Sequence, residues 1–126
     1  MRVIAVIIMI LGLASLALGV LFIMGSIDAE DEVAESIQPL PLAQLDAKYD
    51  EVKAKQAQIK MAEEPQIQAG QAQPSAMYNY LTIQRTALGL ARTNVGVAQS
   101  AMTGGIVNAV LGVGLILAGI GIFRKA

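Results

Sequence analysis

The chain has no cysteine, no histidine and no tryptophan. Without cysteine there is no disulfide, no thiolate nucleophile and no thiolate ligand for zinc or an iron–sulfur cluster. Without histidine the commonest general base, metal ligand and haem ligand are gone. Aromatic residues are scarce, with three Tyr and two Phe in 126 residues. The most consequential scarcity is local. Neither Val3–Met24 nor Gly104–Phe123 contains an ionisable residue.

Charge is instead confined to particular places. All ten acidic residues lie in Asp28–Thr103, together with six basic ones, so this segment carries a surplus of four negative charges. Arg2, Arg124 and Lys125 lie outside it. Such a distribution is no nucleic-acid footprint, which needs a basic face.

A charge-free apolar run of about 18 residues or more reads as a membrane-spanning helix. The first block has 22 residues and the second 20. As helices they measure about 33 and 30 Å, against a hydrocarbon core of roughly 30 Å. Fourteen residues of the first block are Val, Ile, Leu or Phe, each favouring insertion by roughly 0.3–0.6 kcal/mol. The block is longer than the apolar core of a cleaved signal peptide, and its only small-residue cleavage-like pattern, Ser15-Leu16-Ala17, sits mid-run. It is expected to remain as an anchor.

Lys/Arg bias sets the expected orientation. Arg2 precedes the first block, and Arg124 and Lys125 follow the second. The far side of the first block meets Asp28, Glu30, Asp31, Glu32 and Glu35, with no basic residue before Lys48. The positive-inside rule then places both ends in the cytoplasm and the middle segment outside, in a two-pass protein of the cell (inner) membrane.

The middle segment has too few large apolar residues for a thick core. It has heptad spacing instead. Leu42, Leu45, Tyr49, Val52, Gln56 and Ile59 recur at alternating steps of three and four, with Asp, Glu and Lys between them. Pro65 to Pro74, with Gly70 between, reads as a turn, and Ser75 reads as a helix N-cap. Beyond it Met77, Leu81, Gln84, Leu88, Ala91, Val95, Ala98 and Met102 form a second row. The row continues into the apolar block as Gly105, Ala109, Gly112, Ile116, Gly119 and Phe123.

In lipid, small residues mark where helices pack, because no hydrophobic force drives apolar helices together there. The second block has six Gly. Gly105, Gly112 and Gly119 share one helical face with Asn108; Gly114, Ala118 and Gly121 share nearly the opposite face. In the first block Ala5, Gly12 and Gly19 recur at intervals of seven. The expected intramolecular contact is Ala5, Gly12 and Gly19 against Gly105, Gly112 and Gly119. The Gly114, Ala118 and Gly121 face is then left for a partner. Asn108, the strongly polar side chain within the spans, is expected to contact protein rather than lipid.

No constellation of nucleophile, base and metal stands in this sequence. The acidic cluster at 28–35 lacks the Asp-x-Asp-x-Asp-Gly spacing of a calcium loop. Spans without ionisable groups argue against proton or ion pumping. The expected fold is an all-α membrane protein. Two transmembrane helices (1–27 and 104–126) are joined by an extracytoplasmic, antiparallel, coiled-coil-like helical hairpin (28–103) that turns at 65–75. The expected function is non-catalytic, without cofactor or metal: a structural or accessory subunit touching lipids and other membrane subunits or copies of itself. Two alternatives are a small homo-oligomeric channel lined by Asn108 and an outward-facing sensor. The short basic tails give a sensor little with which to pass on a signal.

Overall fold

The computed structural model describes residues 1–126, and every regular element in it is helical. Helix α1 spans Arg2–Ser36, a single 3-10 turn spans Leu42–Gln44, α2 spans Leu45–Gln68 and α3 spans Ala76–Lys125. There are no strands. Helices α1 and α3 are both long and apolar enough to cross a membrane. Only 11% of the most apolar 18-residue window of each is buried. The core helix of a soluble globule has the opposite profile, with its apolar residues inside.

The chain divides into two compact units, Met1–Asp31 with Gly96–Ala126, and Glu32–Val95. In the first unit, α1 buries Ala5, Gly12, Gly19 and Ser26, and α3 buries Ala98, Gly105, Gly112 and Gly119. Both rows advance by seven residues, which keeps one face of a helix turned to its neighbour. Gly119 meets Ala5, Gly112 meets Gly12 and Gly105 meets Gly19. Each step of seven up α1 is thus a step of seven down α3, and the two segments run antiparallel. Ser26, 2% exposed, donates its hydroxyl to the Ile23 carbonyl at 2.8 Å, so its burial leaves no polar group unpaired.

The end of the apolar block does not end α1. The helix carries Asp28, Glu30, Asp31, Glu32 and Glu35 and stops at Ser36. Its last turn has no basic residue to offset the negative helix end. Ser36 turns its hydroxyl back onto the Val33 carbonyl at 2.7 Å. Pro39 and Pro41 follow, and neither can donate a backbone N–H.

The second unit has a small core of Val33, Leu45, Val52, Leu81, Leu88 and Ala91. Ile37, Leu40, Leu42, Tyr49, Ile59 and Val95 are half-buried around it. On α2 the heptad row faces inward, with Leu45, Val52 and Gln56 buried. On α3 the corresponding row begins at Leu81; Met77 is left 55% exposed. Acidic and basic side chains pair along the surface of α2, Lys48 and Lys55 both reaching Glu51, at 3.0 and 2.6 Å. Such exposed pairs stabilise a helix by only about 0.2–0.5 kcal/mol each.

The turn after α2 comes later than the sequence suggests. Pro65 stands inside the helix, which continues to Gln68. A proline forfeits the bond to the carbonyl four residues back, but here only three helical residues follow it. Its own carbonyl still accepts from the Ala69 amide at 3.2 Å. The helix is closed by Gly70, in the left-handed region at φ +69°. The Gly70 amide reaches the Ile67 carbonyl at 3.0 Å and the Gln71 amide reaches Gln66 at 2.9 Å. These crossed bonds are a Schellman C-cap, which favours glycine at this position.

Candidate functional site: small-residue faces and polar contacts

Glycines bring the backbones of α1 and α3 into contact in the first unit. A β-carbon placed on Gly12 would lie 2.8 Å from the Gly112 carbonyl oxygen and 2.9 Å from the Ile116 amide nitrogen. One on Gly19 would lie 2.6 Å from both the Gly105 carbonyl oxygen and the Ala109 amide nitrogen. On Gly105, Gly112 and Gly119 the nearest atoms would be at 2.8, 2.5 and 2.5 Å. Most of these neighbours are backbone atoms, which cannot turn aside as a flexible side chain can. Contact this close brings Cα–H groups towards carbonyl oxygens and replaces side-chain packing with backbone packing. Ala5, completely buried, closes the row, its carbonyl oxygen 2.9 Å from a β-carbon placed on Gly119.

Gly114 and Gly121 lie in the opposite situation. A β-carbon on either would meet nothing within 4 Å. Ala118, between them, is exposed. Leu111, Val113 and Leu117 on the same helix are 53, 47 and 63% exposed. The chain therefore covers one small-residue face of α3 and leaves the other open.

Asn108 is half-buried. Its backbone carbonyl accepts a hydrogen bond from the Ser15 hydroxyl at 2.9 Å, while its side-chain amide finds no partner in the chain. Carboxylates do not converge anywhere into a group of three that could hold a metal ion. Asp28, Glu30, Asp31, Glu32 and Glu35 remain spread along the last turns of α1.

Two polar contacts in the second unit had weaker signals in the sequence. Gln56, 8% exposed, donates its amide to the Thr82 hydroxyl at 3.2 Å and accepts from the Arg85 guanidinium at 2.5 Å. A glutamine within an apolar heptad row is the signal, because a buried amide needs partners. Glu63 accepts from both the amide and the hydroxyl of Ser75, at 2.9 and 2.6 Å. These bonds hold the Glu63 carboxyl below its ordinary value of 4.5. The Ser75 hydroxyl accepts in turn from the Tyr78 amide at 3.1 Å, capping the start of α3.

A shallow groove of about 430 Å³ runs past Tyr49, Gln56, Arg85, Thr86 and Thr93. Its threonine hydroxyls bond back to carbonyls of their own helix, Thr86 to Thr82 and Thr93 to Gly89. Arg85 is bound to Gln56. The groove thus offers few free polar groups to a ligand. No protein-family model, curated protein or solved structure matches the chain.

Proposed function

We propose that this protein is a non-catalytic structural or accessory subunit of a membrane protein assembly. The apolar parts of α1 and α3 cross the bilayer, with Arg2, Arg124 and Lys125 on the cytoplasmic side and residues 28–103 outside. The single observation behind this reading is the unequal use of the two small-residue faces of α3. Gly105, Gly112 and Gly119 are filled by α1, whereas Gly114 and Gly121 meet nothing. A glycine in a lipid-facing position gives up helix stability, about 1 kcal/mol against alanine, without packing in return. A neighbouring protein helix gives it a use, because close backbone approach is what small residues permit.

Substituting Gly114 and Ala118 by Leu tests the reading. Assembly with the partner is then lost, while the chain still inserts and its own α1–α3 contact survives. An assembly unaffected by both leucines removes this face from consideration.

The channel reading has less support. The spans hold no ionisable group, and Asn108 is the one strongly polar side chain in them that could line a path.

A further inference from the structure

The part of α3 within the second unit has two rows of residues. One is buried and contains Leu81, Leu88 and Ala91. The other stands free: Tyr80, Ile83 and Leu90 are 59, 69 and 62% exposed, and Ala87 and Asn94 are exposed between and beyond them. Tyr80, Ile83, Ala87, Leu90 and Asn94 follow steps of three and four, the spacing of a coiled-coil seam.

This exposed row carries no charge. From Ala76 to Val95 the only charged residues are Arg85 and Arg92. Both are committed inside the unit. Arg85 binds Gln56, and Arg92 pairs with Asp46 at 2.8 Å and lies over the Tyr49 ring at 5.3 Å. Helix α2 differs sharply, with nine charged residues among its 24. A helix surface that faces water normally looks like α2.

We infer that Tyr80, Ile83, Ala87, Leu90 and Asn94 form the seam of a parallel homodimer of this chain. This rests on the membrane reading above, since copies inserted in one bilayer with one orientation present parallel α3 helices. A twofold contact sets each residue near its own counterpart, so the face must complement itself. An uncharged face meets that condition, having no like charges to bring together. Asn94 meets it too, because an amide holds both donor and acceptor and can bond to its own copy. A polar residue at a single seam position is a known means of fixing register.

The absence of cysteine makes the test direct. Single substitutions Ala87→Cys, in the seam, and Met61→Cys, on α2 and 80% exposed, are placed in the full-length chain in its native membrane and treated with a mild oxidant. The homodimer predicts disulfide-linked chains for A87C at a rate ~10-fold or more above M61C, as held thiols have a far higher effective concentration. Adding Leu90→Lys to A87C should abolish the difference. Native mass spectrometry of the unmodified chain in nanodiscs should show pairs. Equal cross-linking of A87C and M61C, or none, overturns the homodimer. If the chain nevertheless travels with other subunits, the accessory-subunit reading stands without it; a solitary chain overturns both.

Discussion

Gly12 and Gly112 stand backbone to backbone. A β-carbon on the first would lie 2.8 Å from the carbonyl oxygen of the second, and a β-carbon on Gly112 would lie 2.6 Å from the carbonyl oxygen of Gly12. The contact is reciprocal, so neither residue can gain a methyl group unless the helices move apart.

Gly12→Ala and Gly112→Ala are each expected to destabilise the α1–α3 pair by roughly 1–3 kcal/mol, the usual cost of overpacking. Gly114→Ala adds the same methyl group where nothing lies within 4 Å. It should leave chain stability unchanged or raise it by up to ~1 kcal/mol through helix propensity. Denaturant unfolding of the three variants in one detergent compares them directly.

Gln56 joins α2 to α3 through Thr82 and Arg85. Gln56→Ala should cost about 1–2 kcal/mol, because it removes both bonds and strips Arg85 of its partner. Thr82→Val should cost less, since Arg85 keeps its charge-assisted bond to Gln56 and only the neutral bonds of Thr82, to Gln56 and to the Tyr78 carbonyl, are lost. Thermal melting followed by helical circular dichroism ranks the two.

The Glu63–Ser75 contact gives stability an acid limb. The folded carboxyl lies below its ordinary value of 4.5 because Ser75 donates to the charged form. Its stabilising contribution is therefore complete above that ordinary value and is lost as pH falls through the lowered one. Glu51 behaves in the same sense through Lys55 and Lys48. Glu51 depends on exposed ion pairs, so salt should weaken its share. Glu63 depends on neutral donors and should be far less sensitive. Stability measured against pH should lose part of its acid limb in Glu63→Gln, at low and high salt alike.

Membrane orientation is testable with single cysteines in this cysteine-free chain. Gln71→Cys, beside the turn after α2, should react with an impermeant thiol reagent applied to the outer side. Ala126→Cys should react only after the membrane is opened. The reverse pattern would invert the topology.

Some of this organisation is legible in the residues themselves. The all-helical class and the two apolar helices follow from the charge-free blocks and from heptad spacing, with no competing alternation. The end of α2 is harder to read, because Pro65 resembles a breaker. A proline near the last turn forfeits little, and the stop lies in the left-handed Gly70. The extension of α1 past Met24 is hidden for another reason: hydropathy marks where lipid could begin, whereas helices end where caps and prolines end them. Seven-residue intervals in Ala5, Gly12 and Gly19 are visible in the sequence, yet their register against Gly119, Gly112 and Gly105 requires coordinates. Spacing cannot tell how far one helix has slid along another. Nor does it show which polar atoms meet, as at Gln56 and Arg85 or Glu63 and Ser75.

Purification of the tagged chain from its native membrane in mild detergent, followed by native mass spectrometry, tests the central claim most directly. A defined assembly larger than one chain is expected, from which the Gly114→Leu, Ala118→Leu double substitution removes the partner bound at that face while the chain remains folded. A stable, solitary chain with no stoichiometric companion would contradict it.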